Sequence, residues 1–182
     1  LISLQWWCRM KEPAKPAMEA LRERRVRYHP ESQHRFAIAS LEESGRLRVG
    51  PESAGAKPGP VCYRRGGTEP TVTDANVVLG RIDPDYFLGG AMSLDADGAK
   101  KAILERVANP LMLSVEEAAE GILRIAVSRM AGAIRLSLFE KGLDPEDFTL
   151  LSFGGASGLH ACDTADEIGI ARVVFPRDPG TP

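Results

Sequence analysis

The 182 residues carry 43% hydrophobic and 26% charged side chains and a formal net charge of −2, a globular composition with no electrostatic ground for a nucleic-acid or anionic-membrane partner. No apolar run approaches the roughly 20 residues that a membrane helix needs, so no membrane partner is expected. The chain opens Leu1-Ile2-Ser3-Leu4-Gln5-Trp6-Trp7-Cys8-Arg9, too short and polar for a signal peptide and without an initiating Met, and is read as a fragment of a cytoplasmic protein. Cys8, Cys62 and Cys162 have no Cys-x-x-Cys spacing and read as reduced thiols, neither a disulfide framework nor a zinc site.

Residues 1–35 hold none of the 18 glycines and carry eight Lys/Arg against four Asp/Glu. Two readings stay open. Good helix formers from Ala17 to Val26 suit a basic amphipathic helix; alternatively the segment is foreign to the domain, for instance translated out of frame.

From Phe36 onward the elements follow in order. Phe36-Ala37-Ile38-Ala39 and Arg46-Leu47-Arg48-Val49 flank Glu43-Ser44-Gly45 and predict a hairpin. The stretch Gly50-Pro51-Glu52-Ser53-Ala54-Gly55-Ala56-Lys57-Pro58-Gly59-Pro60 is too rich in breakers for regular structure and predicts an ordered loop. It approaches a P-loop at Gly50-x4-Gly55-Ala56-Lys57. An alanine separates glycine from lysine, however, and Pro58 stands where Ser or Thr would hold magnesium, so a P-loop is rejected.

A short helix is expected from Thr73 to Leu79, a turn at Asp83-Pro84-Asp85, and a helix capped by Asp97 that runs to about Val107 and is ended by Asn109-Pro110. Ser114-Val115-Glu116-Glu117 has capping-box spacing. It opens a long helix to about Lys141, closed by Gly142, whose Ile122, Ile125, Ala126, Met130, Ala133 and Ile134 predict a broad core-facing stripe. Phe148 to Phe153 reads as a strand, Leu159 to Ile168 as a helix stopped by Gly169, and Ala171 to Phe175 as a strand. Strand, glycine turn, helix, strand is a βαβ-like order, so the fold class is α/β.

Gly154-Gly155-Ala156-Ser157-Gly158 is the strongest site candidate. Glycines between a strand end and a helix start let backbone approach a ligand, and free helix N–H groups favour anions. The spacing does not fit the dinucleotide fingerprint, and a tight turn with no ligand is the alternative. At Gly155 a Cβ would either fill ligand space or meet a glycine-only backbone angle. His160 lies in the first turn after the glycines, where its ring faces a ligand or is simply held by hydrogen bonds. Cys162, two residues on, points to another helix face, which argues against a Cys/His dyad. Glu52, Glu69 and Asp74 are candidates to assist chemistry or hold a cation, with loop organisation as the plainer role. No His/Asp/Glu cluster has metal-ligand spacing on a shared face.

Val49-Gly50-Pro51-Glu52-Ser53-Ala54-Gly55-Ala56-Lys57-Pro58-Gly59-Pro60-Val61-Cys62-Tyr63, Gly66-Gly67-Thr68-Glu69-Pro70-Thr71-Val72-Thr73-Asp74-Ala75-Asn76 and Phe153-Gly154-Gly155-Ala156-Ser157-Gly158-Leu159-His160-Ala161 resemble blocks of the hydantoinase A/oxoprolinase family. Met130 to Arg135 and Gly142 to Phe148 resemble it as well, so the likeness covers about Ala37 to Gly180. The resemblance implies part of an actin/Hsp70/sugar-kinase-like (ribonuclease-H-like) fold, with Gly154, Gly155 and Gly158 against the adenosine. It also implies ATP with Mg2+ as cofactors and phosphorylation of a lactam or imide carbonyl. A cyclic amide would be the substrate, a hydantoinase B-type subunit or domain the partner, and the intact enzyme an oligomer. Relatives that carboxylate ketones supply the alternative function, and a non-catalytic adenine-nucleotide-binding module is a third.

The departures from the family pattern carry expectations of their own. Two aspartate-glycine-glycine-threonine phosphate motifs of the family, one near the N-terminus and one upstream of the region matching Phe36, are absent from this sequence. Gln33-His34-Arg35-Phe36 stands where the family has glycines, which favours the foreign-segment reading of residues 1–35. Ser157 replaces a usual glycine and Lys57 a common aspartate. Residues 36–182 are therefore expected to be a C-terminal part of the domain, inactive alone.

Overall fold

The computed structural model describes residues 34–177; Cys8 and all of the N-terminal segment except His34 and Arg35, which open a 3-10 turn to Phe36, lie outside them. Contacts divide the chain into two units, one described over residues 34–129 and the other over residues 130–177. The fold is mixed α/β.

In the first unit the expected hairpin forms from β1 (Ala37–Leu41) and β2 (Leu47–Ser53), paired antiparallel. Its register, with Ala39 opposite Val49 and Ala37 opposite Ser53, leaves Gly50, Pro51 and Glu52 as a bulge. Regular structure therefore does not stop at Gly50, as the breaker content predicts. A bulge takes in the proline, which has no N–H for the ladder, and Gly50 supplies the bend at φ +68°. Across the other edge of β1, Ile38 bridges Thr71 and the Ala39 N–H donates to Pro70 O at 2.8 Å. Ahead of β1, the Arg35 carbonyl accepts from Thr73 Oγ1 at 2.8 Å.

Helix α1 (Val72–Val78) starts from Thr71, whose side chain accepts the Asp74 N–H while the Asp74 carboxylate accepts the Thr71 N–H, a complete capping box. Helix α2 (Ala96–Ile103) is capped by Asp95, not Asp97. Asp95 Oδ1 accepts the Gly98 N–H at 2.9 Å, and a Cβ on Gly98 would come within 2.8 Å of that carboxylate. Nor does Asn109-Pro110 end the helix. A π turn, Leu104–Ala108, closes with the Asn109 N–H on Leu104 O, and one more turn, Asn109–Leu111, follows. The wider turn relieves the clash that a proline ring makes with the carbonyl four residues back.

The long helix α3 (Val115–Phe139) opens as expected: Ser114 Oγ accepts the Glu117 N–H at 3.1 Å and Glu117 Oε2 accepts the Ser114 N–H at 2.8 Å. It closes two residues before Lys141. Gly142, at φ +65°, donates to Phe139 O at 2.9 Å and Leu143 donates to Leu138 O at 3.1 Å, the paired bonds of a Schellman motif.

Alanine dominates the first unit's core: Ala37, Ala39, Ala75, Ala108, Ala118, Ala119 and Ala126 surround Val49, Ile103, Val107 and Ile122. Side chains this small let hairpin and helices approach closely, and each large apolar residue buried among them contributes roughly 1.5–3 kcal/mol. In the second unit Ala131, Ala165, Ile168 and Ile170 pack with Ile134, Phe148, Leu150 and Val173. Ala133, Leu136 and Phe139 are exposed, so the core-facing stripe of α3 is narrower than its sequence predicts.

The second unit holds the expected parallel βαβ: β3 (Leu150–Leu151), α4 (Ala161–Ile168) and β4 (Val173–Val174), with Leu150 opposite Val173. Both strands are shorter than predicted. Ladder bonds from the Leu150 N–H to Arg172 O and from the Ser152 N–H to Val174 O, each 2.9 Å, span the whole pairing. The left-handed φ of +83° at Gly169 ends α4 as anticipated. Among the described residues no helix is long and apolar enough to cross a membrane.

Candidate functional site

Beyond β3 the chain leaves Ser152, which is buried, and turns at Gly154, whose φ of +92° requires glycine. A 3-10 turn, Ser157–Leu159, then delivers the chain to α4, two residues later than the predicted start at Leu159. Gly155 is exposed, and a Cβ built on it meets nothing within 4 Å. A Cβ on Gly158 would reach only the Phe175 ring, at an ordinary 3.8 Å. Only Gly154 of the three is thus required by its own backbone. The glycine-only angle anticipated at Gly155 is absent, which leaves the open space beside it. Among the described residues, the main-chain N–H groups of Gly154, Gly155 and Ala156 find no acceptor. Such a row of amides at a strand-to-helix turn presents partial positive charge to a ligand.

Ser157 stands out in the sequence only as a replacement for a usual glycine, and Ser152 not at all. Ser157 Oγ donates to Phe153 O at 2.5 Å, with Gly154 O at 3.3 Å, and accepts from Ser152 Oγ at 3.0 Å. Their spacing gives no signal by itself; only the fold of the turn brings them together. His160 is buried at the entry to α4, its N–H on Ser157 O at 3.2 Å and its carbonyl accepting from Thr164 at 2.9 Å. Cys162 is half-buried.

The carboxylate candidates belong to the first unit. Glu52 is exposed on the β2 bulge and pairs with Arg48 at 3.0 Å. Glu69 pairs with Arg106 at 3.2 Å. Asp74 is wholly buried. Its Oδ1 accepts the Cys62 N–H at 2.8 Å; its Oδ2 accepts the Thr71 N–H and Thr71 Oγ1, both at 2.8 Å, and the Val61 N–H at 3.3 Å. With both oxygens engaged, Asp74 organises the loop from Pro60 to Thr71. The signal that points to this is Thr71-x-x-Asp74, a capping-box spacing placed two residues before the predicted helix start.

The same loop is locked at Gly67, where a Cβ would sit 2.1 Å from Gly59 O. Burial, then the neighbouring charge of Asp74 and a hydrogen bond to it, push the Cys62 thiol far up, so it stays protonated and unreactive. Among the described residues no group of three or more His, Cys, Asp or Glu could hold a metal ion.

A parallel βαβ in one unit and, in the other, a hairpin with a carboxylate-locked loop define a mixed α/β protein. The hydantoinase/oxoprolinase family profile matches residues 37–181, and the chain belongs to that family. It is 48% identical over 141 residues to the caprolactamase alpha subunit of Pseudomonas jessenii, covering 78% of this chain and 20% of that one. Against the acetophenone carboxylase gamma subunit of Aromatoleum aromaticum it is 51% identical over 144 residues, covering 79% and 20%. The solved structure of the ATP-dependent caprolactamase from P. jessenii aligns with a TM-score of 0.74 at 47% identity, over 79% of this chain and 21% of that one. A nucleotide-free acetone carboxylase structure aligns with the same score of 0.74 at 33% identity, over 80% and 21%. The chain spans about a fifth of the length of these relatives.

Proposed function

We propose that this chain carries the adenosine-facing part of an ATP-dependent enzyme of cyclic amides, within an actin/Hsp70/sugar-kinase-like domain. One observation carries the reading: the acceptor-free amides of Gly154, Gly155 and Ala156 at the carboxyl end of a parallel strand, where open α/β sheets bind their ligands. The open space at Gly155 fits a nucleoside lying on the backbone. The ATP-dependent caprolactamase, a structural neighbour, supports lactam chemistry. When bound, ATP would supply a phosphoryl group that activates the amide carbonyl towards water; the ring opens as the C–N bond breaks with a proton going to the ring nitrogen, and hydrolysis releases the phosphate.

In this reading Gly154, Gly155 and Gly158 line the adenosine, and the buried His160 anchors the helix that follows. Asp74 and Glu52 keep the family's glycine- and proline-rich loop in shape and take no part in bond making. Mg2+ accompanies the phosphates, and no ligand for it is assigned among the described residues. The intact enzyme works with a hydantoinase B-type partner and as an oligomer, in the cytoplasm; the caprolactamase and carboxylase relatives are themselves named as subunits. A second reading, the nucleotide subunit of a ketone carboxylase, draws on the 51% identity to the acetophenone carboxylase subunit.

The test is titration of adenosine and ATP by NMR against the wild-type chain and Gly155→Val. Backbone and apolar contact alone predict affinity on the order of millimolar, roughly 4 kcal/mol, and about equal for the two ligands. Valine at Gly155 enters open space without a positive φ, so the variant should fold normally and lose binding. Much tighter binding of ATP, or unchanged binding by the variant, would refute the assignment of this turn.

A further inference from the structure

We propose that Ser157 is a positioning residue whose hydroxyl braces the glycine turn and aims the amides of Gly154 and Gly155 at an acceptor oxygen of the nucleotide. The ligand part rests on the adenosine reading above; the brace itself rests on geometry.

Ser157 Oγ donates to Phe153 O at 2.5 Å, with Gly154 O a longer second acceptor at 3.3 Å. It also accepts from Ser152 Oγ at 3.0 Å. Ser152 is only 5% exposed and is pinned to β4 through its N–H on Val174 O. The strand end, the turn and the start of the 3-10 turn are thereby tied through one oxygen. A trans peptide points its C=O and N–H in opposite directions. Drawing the Phe153 and Gly154 carbonyls onto Ser157 therefore turns the N–H groups of Gly154 and Gly155 the other way, and both lack an acceptor among the described residues. Two adjacent glycines have the widest backbone freedom of any pair, so without the brace nothing covalent fixes where those amides point. Alanine at Ser157 keeps the backbone and deletes only the donor and acceptor.

The experiment is 15N relaxation and adenosine titration of the full chain, with Ser157→Ala, Ser157→Thr and Ser152→Ala alongside wild type. In Ser157→Ala the order parameters of Gly154 to Gly158 should fall from about 0.85 to below about 0.6. Adenosine affinity should drop about fivefold, the scale of one hydrogen bond. Threonine retains the hydroxyl and should restore both, which a packing defect would not do. Ser152→Ala, which leaves Ser157 its own donation, should loosen the turn to an intermediate degree. Unchanged order parameters in Ser157→Ala overturn the proposal; should that variant fail to fold, unchanged values in Ser152→Ala do so. If wild type binds no adenosine yet the turn loosens in Ser157→Ala, the brace stands and the adenosine reading falls.

Discussion

Asp74 gathers four hydrogen bonds inside the protein, three of them from main-chain N–H groups of Val61, Cys62 and Thr71. No apolar substitute can serve those donors, and each one stranded in the interior costs about 1–3 kcal/mol. Asp74→Ala should therefore destabilise the chain by about 3 kcal/mol or more in urea unfolding. Asp74→Asn should be nearly as severe, because its amide hydrogens would face donors. The same variants should expose Cys62, buried and held protonated in the native chain, to an aromatic disulfide reagent that wild type resists. Fast labelling of native wild type, or an Asp74→Ala variant as stable as wild type, would contradict this account. Asp74 is visible in the sequence as a carboxylate near a glycine-rich loop. Its role is not, because the donors it serves lie 12 and 13 residues upstream and only the folded loop brings them to it.

At the scale of elements, local chemistry was legible where both partners sit within one turn, as in the Ser114–Glu117 capping box and the Gly142 and Gly169 stops. It failed where tertiary structure decides. Asp97 has the right residue type for a cap, yet Asp95 holds the position, its carboxylate reaching a glycine where any larger residue would crowd it. Gly50-Pro51 reads as the end of a strand until the bulge against β1 is known. The Glu117 cap carries a pH dependence. Hydrogen bonds from the Ser114 N–H and hydroxyl hold its carboxyl below its ordinary value of 4.5. A depressed carboxyl stabilises the fold above its unfolded pKa, and that contribution fades as pH falls through the folded value. Melting temperatures of wild type and Glu117→Gln should thus differ by a constant amount above about pH 5 and converge on acidification below it. A difference that persists or grows in acid would mean that Glu117 does not act through its charge.

For the molecule as a whole, family membership was legible because the long glycine and proline blocks are exacting in three dimensions. Gly67 admits no Cβ beside Gly59, and Gly154 needs its left-handed φ. Substrate was not, since these blocks build a scaffold and the chain spans about a fifth of its relatives. The N-terminal segment is a proposal of the same scale: residues 1–35 are foreign to the domain, and those before His34 contribute nothing to its stability. The family match starts at residue 37, and among the described residues Arg35 and Phe36 already contact the fold. Arg35 offers its carbonyl to Thr73 and lies over the Phe36 ring at 4.5 Å, and Phe36 meets Tyr63 edge-on at 6.0 Å. Two truncations separate the alternatives. A chain beginning at His34 keeps all three contacts and should melt within about 2 °C of the full chain or higher. A chain beginning at Ala37 loses the burial of Phe36, roughly 1.5–3 kcal/mol, and at about 2–4 °C per kcal/mol for this size should melt roughly 3–12 °C lower. A drop of that size already at the His34 truncation would make the first 33 residues an integral part of the domain.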